Sequence, residues 1–243
     1  MQEDLTRKER RRLFEEKKKG EARKSLLFSK LRKAASWGLI LILAIFLGAR
    51  FWRWLRTPPP DISKLVSEVK AEDWVKGGKE GKIILVEYSD FQCPSCASYQ
   101  PIIEALLNDF PNDLRFVYRH FPLVAIHKNA LSAAMAVEAA GLQGKFWEMH
   151  DLLFEKQAEW SQKSDPKDFF VGYAKELGLD EKEFISDFES KSLDEKLKSS
   201  LKEADSLGLS YTPTFFLDGR EIKPRSYEEF KKLIEEELKS KSQ

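Results

Sequence analysis

The chain has 243 residues, 42% of them hydrophobic and 33% charged, with two cysteines and a formal net charge of +1. That balance leaves no overall electrostatic footprint for nucleic acid. Two cysteines three positions apart also exclude a disulfide-stapled scaffold. The charge is unevenly placed, however: residues 1–33 hold 13 Lys and Arg against 6 Asp and Glu, whereas residues 57–243 hold 25 against 34.

Residues 1–33 carry the blocks RKERRR (7–12) and EEKKKG (15–20) and read as a solvated, partly helical tail. Binding to nucleic acid or lipid headgroups is the alternative for such mixed-charge blocks. From Ala34 to Ala49 no residue is charged, a run of 16, whereas crossing the hydrocarbon takes ~20 residues. Extension to Leu55 gives 22, with Arg50 and Arg53 snorkelling and Trp37, Trp52 and Trp54 at the two interfaces. The segment 34–55 is therefore expected to be one uncleaved transmembrane helix. A cleaved signal peptide is the rival, but its basic region would be unusually long and no small-x-small site follows. The Lys and Arg before the helix outnumber the three just behind it, Arg50, Arg53 and Arg56. The positive-inside rule thus leaves the tail cytoplasmic and the rest of the chain on the periplasmic, extracytoplasmic side of the inner membrane.

Residues 56–80, which include TPPP (57–60), read as a linker and a helical or irregular lead-in closed by Gly77 and Gly78. The folded domain is expected over 81–243. KIILVEYSDF (82–91) has the β-branched and aromatic run of a buried strand. CPSCASYQPIIEALLNDF then takes up helical spacing through Tyr99, Ile102, Ile103, Leu106 and Leu107, and LRFVYRHF (114–121) reads as a second strand. From about 127 to 207 the apolar spacing is helical, with breaks expected at Gly141, Gly144, Gly178 and Gly208. TFFLDGREI (214–222) reads as a hairpin turning on Asp218-Gly219, and Tyr227–Lys239 as a closing amphipathic helix. The order of strand, helix, strand, helical block, hairpin and helix fits an α/β thioredoxin-like sheet interrupted by a helical subdomain.

The chemistry lies at Cys93 and Cys96. A thiolate is the reactive form of cysteine, and the first turn of a helix offers it unpaired N–H groups and the positive end of the dipole. Cys93 falls between strand and helix, and Pro94 at the first helical position costs no hydrogen bond. Cys96, one turn on, lies on the same side and can close a disulfide with Cys93. A zinc half-site would need two further ligands, and His120, His127 and His150 show no paired spacing. These histidines read as packing or capping residues, and neither a metal nor an organic cofactor is implied. A purely structural disulfide is the other alternative.

The stretches EYSDFQCPSCASYQP, RHFPL, HKNALSAAMAVEAAGLQGKFWEMHDLLF and YTPTFFLDG, in that order, resemble the DsbA-like branch of the thioredoxin superfamily. The resemblance covers roughly 82–240. It implies a thioredoxin fold with an inserted helical subdomain, an exposed nucleophile at Cys93 and a buried resolving thiol at Cys96. It also implies a cis Thr212-Pro213 bond facing the cysteines, with the Thr212 backbone, Pro94 and Ser95 contacting the client chain. Glu87 matches an acidic position that the family places beneath the active site, where it would exchange protons with Cys96. The other reading of Glu87 is a surface carboxylate on an edge strand. Arg115 and Arg119 are both placed to neutralise it, and the sequence does not choose between them.

Two residues depart from the family pattern. Ser95 replaces the histidine of the most oxidising members and brings no imidazolium to the Cys93 thiolate, and Tyr211 stands where many relatives have a small residue. The expected function is a membrane-anchored thiol-disulfide oxidoreductase acting on cysteine-containing exported proteins, as an oxidant. A membrane redox partner, quinone-linked or electron-delivering, would restore it. The alternatives are a reductase or isomerase fed by a membrane electron carrier, and a non-catalytic tethered module that docks peptides.

Overall fold

The computed structural model describes residues 45–48, 50, 66 and 68–242. The chain divides into two units, 1–60 and 61–243. In the first, residues 45–48 and 50 are helical, and Ile45, Phe46 and Leu47 are exposed. The charged tail 1–33 and most of the expected membrane helix 34–55 lie outside the described residues, among which no helix is long and apolar enough to cross a membrane.

The second unit is built on a five-stranded mixed sheet. Strands β1 (Trp74–Gly77), β2 (Ile83–Ser89), β3 (Leu114–His120), β4 (Thr214–Leu217) and β5 (Arg220–Ile222) stand in the order β1-β3-β2-β4-β5. Strand β2 is central, as its run of Ile, Leu, Val and Tyr requires: it pairs parallel with β3 and antiparallel with β4. A parallel neighbour needs a crossover, and α1 (Pro94–Asp109) supplies it. Strands β4 and β5 form the expected hairpin, with positive φ at Asp218 (46°) and Gly219 (82°), as a two-residue primed turn demands.

The sequence reading missed β1. Its four residues, WVKG, are too few to show alternation, and they fall where an irregular lead-in was expected. Pairing with β3 and side-chain docking make it a strand. The Trp74 ring stacks on Phe146 at 4.1 Å, and its Nε1 donates to Glu138 at 2.9 Å. The sheet therefore begins inside the segment 56–80, ahead of the expected start at 81.

Six helices stand between β3 and β4: α2 (Ala130–Leu142), α3 (Phe146–Glu155), α4 (Gln157–Trp160), α5 (Lys167–Glu176), α6 (Glu181–Phe188) and α7 (Lys191–Ser206). Gly144, Gly178 and Gly208 sit at helix ends with φ near +75° (75°, 73°, 73°), the left-handed conformation glycine adopts without cost. Gly141 is not a break. It lies within α2, where the Trp74 ring comes so close that an added Cβ would meet it at 2.6 Å. Helix α8 (Tyr227–Lys241) closes the chain two residues beyond its expected end.

The sheet has two different faces. One carries Ile83, Leu85, Phe116 and Phe215 into a core completed by α1, α2, α3 and α8. The other carries Val86, Tyr88, Val117 and Phe216 against Val66, Ala204 and Leu207. Within the first face, the β2–β3 register sets Glu87 beside Tyr118 and Ser89 beside His120. This polar stripe lies under the start of α1.

Candidate active site

Cys93 is the N-cap of α1, with extended backbone (φ −76°, ψ 118°) and Pro94 following. Asp90 makes this turn. Its backbone carbonyl accepts from Cys93 N at 3.0 Å and its Oδ1 from Gln92 N at 2.7 Å. Its Oδ2 accepts from Leu123 N at 2.9 Å and lies 2.7 Å from His127 Nδ1. One buried carboxylate thus ties the loop before the cysteine to the loop after β3.

Cys93 is less exposed than expected, at 7% against 0% for Cys96, because the 212–213 loop lies over its sulfur. Its Sγ–H donates to the Thr212 carbonyl at 3.5 Å, and Thr212-Pro213 is a cis peptide, as the resemblance implied. Both thiols are free. Pro94 and Ser95 are exposed beside them, and Tyr211, 42% exposed, donates its hydroxyl to Glu221 at 2.6 Å. Tyr211 and Pro213 line a cleft of about 240 Å³ with Tyr99 and Phe215, so the bulky departure at 211 does form a wall there.

The two thiols are driven apart in acidity. The Cys96 thiol, hydrogen-bonded to the Cys93 sulfur, is the largest influence bringing Cys93 down to about 5. It prevails over desolvation and is aided by the Thr212 side chain and the amides of Cys96 and Ser95. No side-chain cap bond closes at Cys93, and those first-turn amides favour its anion, though less than the Cys96 thiol does. Cys96 is pushed well above an ordinary thiol, by burial first and then by its bond to Cys93 and the nearby charges of Glu87 and Cys93.

Glu87 is completely buried on the central strand, so the edge-strand reading fails. Burial raises its carboxyl to about 7, against hydrogen bonding from Ser89 and Gln100, while the Cys93 charge pushes in the same direction as burial. Ser89 Oγ donates to Glu87 Oε1 at 2.7 Å. Neither arginine neutralises it. Arg119 lies across the sheet and is held by Asp73 (2.7 Å), Tyr88 (3.1 Å) and Glu203 (3.6 Å), and Arg115 forms no ion pair with it. Both alternate to the opposite face from Glu87, which the parallel register enforces.

Several supporting residues escaped the sequence reading. Gln92, buried, donates Nε2 to the Ser161 carbonyl and accepts from Asn129 N, both at 2.7 Å. Asn129 Nδ2 in turn donates to the carbonyls of Ser161 and Lys163 at 3.1 and 2.9 Å. Gln157 Nε2 reaches the carbonyls of Phe91 and Cys93 at 2.7 and 3.1 Å. These amides bind the active-site turn to the helical insertion. The only sequence signal for them was Gln92 standing next to Cys93 at the end of a strand that begins apolar. His120 and His150 are buried packing residues, as expected, and each also meets a carboxylate, Glu138 at 3.0 Å and Asp151 at 2.7 Å.

A protein-family model described as Thioredoxin matches residues 70–236. Among solved structures, oxidised BdbD from Bacillus subtilis is 25% identical, with a TM-score of 0.61 over 68% of this chain and 92% of that one. A thioredoxin-like oxidoreductase from Silicibacter pomeroyi, 24% identical, superposes at 0.60 over 75% and 99%. Wolbachia pipientis alpha-DsbA1, 20% identical, does so at 0.62 over 72% and 94%. Among curated proteins, a chain named Na(+)/H(+) antiporter NhaA 1 from Salinispora arenicola is 43% identical over 61% of this chain. One of the same name from Mycolicibacterium gilvum is 37% identical over 74%. The match spans only 22% and 29% of those two relatives' own lengths.

Proposed function

The chain belongs to the thioredoxin family, and from that premise we propose that it is a DsbA-like thiol-disulfide oxidoreductase that forms disulfides in exported proteins. The observation that carries this reading is the asymmetric pair at the start of α1. Cys93 is a low-pKa thiol against the Thr212 carbonyl, and Cys96 is a fully buried, high-pKa thiol one turn behind it. A purely structural bridge needs no such division of acidity.

In the oxidising direction a client thiolate attacks Cys93 of the Cys93–Cys96 disulfide. The client–Cys93 bond forms, the Cys93–Cys96 bond breaks, and Cys96 leaves as a thiolate that takes a proton. A second client thiolate then attacks the client sulfur, and Cys93 leaves as a thiolate. The client loses two electrons and the cysteine pair gains them. When the second thiol is slow, Cys96 gives up its proton, attacks Cys93 and releases the client unchanged. A stabilised Cys93 thiolate favours the reduced pair and so the oxidant role. That stabilisation comes here from the Cys96 thiol, the Thr212 side chain and the first-turn amides, with no histidine at position 95.

Thr212 holds the client beside Cys93 through its backbone, with Pro213, Pro94 and Ser95 at the contact, and Glu87 supplies and takes the Cys96 proton. The apolar run 34–55 anchors the domain outside the cytoplasm, where clients and a membrane redox partner meet it. Supporting that placement are the charge bias around the run and the exposed Ile45, Phe46 and Leu47.

Replacing Cys96 with Ala in the full chain should trap client adducts at Cys93, visible on non-reducing gels, and Cys93→Ala should abolish them. Alkylation of Cys93 should titrate with a midpoint near 5. If neither thiol reacts faster than an ordinary exposed cysteine, the peptide-docking alternative replaces this one.

A further inference from the structure

Tyr211 and Pro213 flank Thr212, whose carbonyl accepts from Cys93 Sγ–H, and both line the cleft of about 240 Å³. That volume falls short of the ~300 Å³ at which pockets for small molecules begin. It suits one side chain of a polypeptide laid across Cys93.

The floor of the cleft is aromatic and apolar, made by Tyr99, Phe215 and Ile222. It is held in place before any client arrives. The Tyr99 hydroxyl donates to the Pro224 carbonyl at 2.9 Å, and its ring meets that of Phe215 with centroids 5.2 Å apart. Tyr211 is fixed as well, by its hydroxyl bond to Glu221 at 2.6 Å and by Lys223 Nζ, 5.4 Å from its ring centroid. An entering side chain meets walls that need little further ordering, which is where a binding site saves most.

The charged residues on the wall are two cations, Lys223 and Arg225, both exposed. Glu221 answers Lys223 at 3.0 Å. The nearest acid to Arg225, Glu229, is spent on its backbone N–H at 2.8 Å, and among the described residues no carboxylate pairs with the guanidinium. These cations run against their surroundings, since residues 57–243 carry 25 Lys and Arg against 34 Asp and Glu. A guanidinium left free at the rim of an apolar slot is a ready partner for a carboxylate.

We propose that this cleft is a side-chain subsite that selects clients bearing an aromatic or large aliphatic residue next to an acidic one, close to the cysteine that attacks Cys93. Tyr211 and Arg225 set the preference. The inference rests on the oxidoreductase reading above and specifies which cysteines the pair reaches. A client extended along Thr212 rises ~3.3 Å per residue, so side chains one and two positions from its cysteine lie over the residues flanking Thr212. The apolar side chain fills the slot between Tyr211 and Phe215, and its acidic neighbour stays at the wet rim against Arg225. The two contributions differ in size, because exposed ion pairs are weak and a filled apolar pocket discriminates more strongly.

The test uses the oxidised full chain and single-cysteine peptides that differ only beside the cysteine: Phe-Asp, Phe-Lys and Gly-Asp. The quantity measured is the rate at which each reduces the Cys93–Cys96 disulfide, divided by its rate with a small free disulfide, which cancels differences in thiol acidity. Phe-Asp should exceed Gly-Asp roughly tenfold and Phe-Lys roughly two- to fivefold, the second ratio shrinking as salt is raised. Arg225→Glu should invert the preference for Asp over Lys, and Arg225→Lys should retain it. Tyr211→Ser should lower the preference for Phe over Gly. Ratios taken within one variant are unaffected by any loss of folded protein or of thiol reactivity. Equal rates for the three peptides, or an Asp preference unchanged in Arg225→Glu, would overturn the subsite. The same peptides with Ser for Cys are then scored for binding. Affinities in the expected order from a chain whose disulfide no peptide reduces would keep the subsite and remove the oxidoreductase reading, whereas reduction without any order would do the reverse.

Discussion

At the scale of single residues, the site rests on a carboxyl kept where it is electrostatically disfavoured. Burial lifts Glu87 from 4.5 to about 7. The folded chain therefore holds this proton more tightly than the unfolded chain. Its contribution to stability is fully present below pH 4.5 and declines as pH rises through about 7. Holding the ionised form in the fold costs about 3 kcal/mol above neutrality. Glu87→Gln keeps an acceptor for Ser89 and cannot ionise. Urea unfolding of the reduced protein should show the variant gaining on the wild type by about 3 kcal/mol between pH 4 and pH 8. Equal slopes with pH would mean that Glu87 ionises normally. A cost of this size at a completely buried position is typical of functional carboxyls, and it is consistent with proton exchange at Cys96.

At the scale of elements, the insertion and the sheet are joined by the side-chain amides around Cys93. Gln92→Leu keeps the volume but deprives Asn129 N of its acceptor and removes one donor from the Ser161 carbonyl. It should cost about 2 kcal/mol, read as a lower urea midpoint at unchanged slope. Loss of less than about half a kcal/mol, the usual effect of an uninvolved surface position, would show that the bridge contributes nothing. Such contacts leave no periodic trace in a sequence, since Gln92 and Asn129 are 37 residues apart. The elements themselves were legible where periodicity had room: β2, α1, the helical block and α8 all stand close to where their apolar spacing put them. The cysteines were legible from their place between strand and helix, whereas the cis Thr212-Pro213 bond and the buried Glu87 were legible only through the resemblance to the DsbA-like branch. By contrast, β1 was hidden by its length and by a Trp whose partners, Phe146 and Glu138, lie more than sixty residues away. The tie from Asp90 to Leu123 and His127 and the coverage of Cys93 by the 212–213 loop were hidden for the same reason, because each is made by distant chain.

At the scale of the whole molecule, the proposed anchor would decide whether the cysteine chemistry has a use. The run 34–55, taken as a helix of 22 residues, would rise about 33 Å, enough for a hydrocarbon core of about 30 Å. Thirteen Lys and Arg precede it and three lie close behind, an asymmetry that, for the proposed span, predicts the amino-terminal side in the cytoplasm. Behind it, residues 57–243 carry an excess of acidic side chains, which do not oppose export. A thiol pair with a stabilised thiolate would be kept reduced by the cytosolic thiol pool, and it works as an oxidant only where disulfides persist. Both arguments predict the same orientation from independent physics. Fusions of a reporter active only in the cytoplasm should signal at residue 20 and stay silent at residue 240, with the full-length chain recovered in the membrane fraction. A cytoplasmic signal at residue 240 would reverse the topology and set the oxidant role against its compartment. A soluble mature chain starting near residue 50 would make 34–55 a cleaved signal. The domain would still be exported, but clients and the redox partner would have to find it by diffusion.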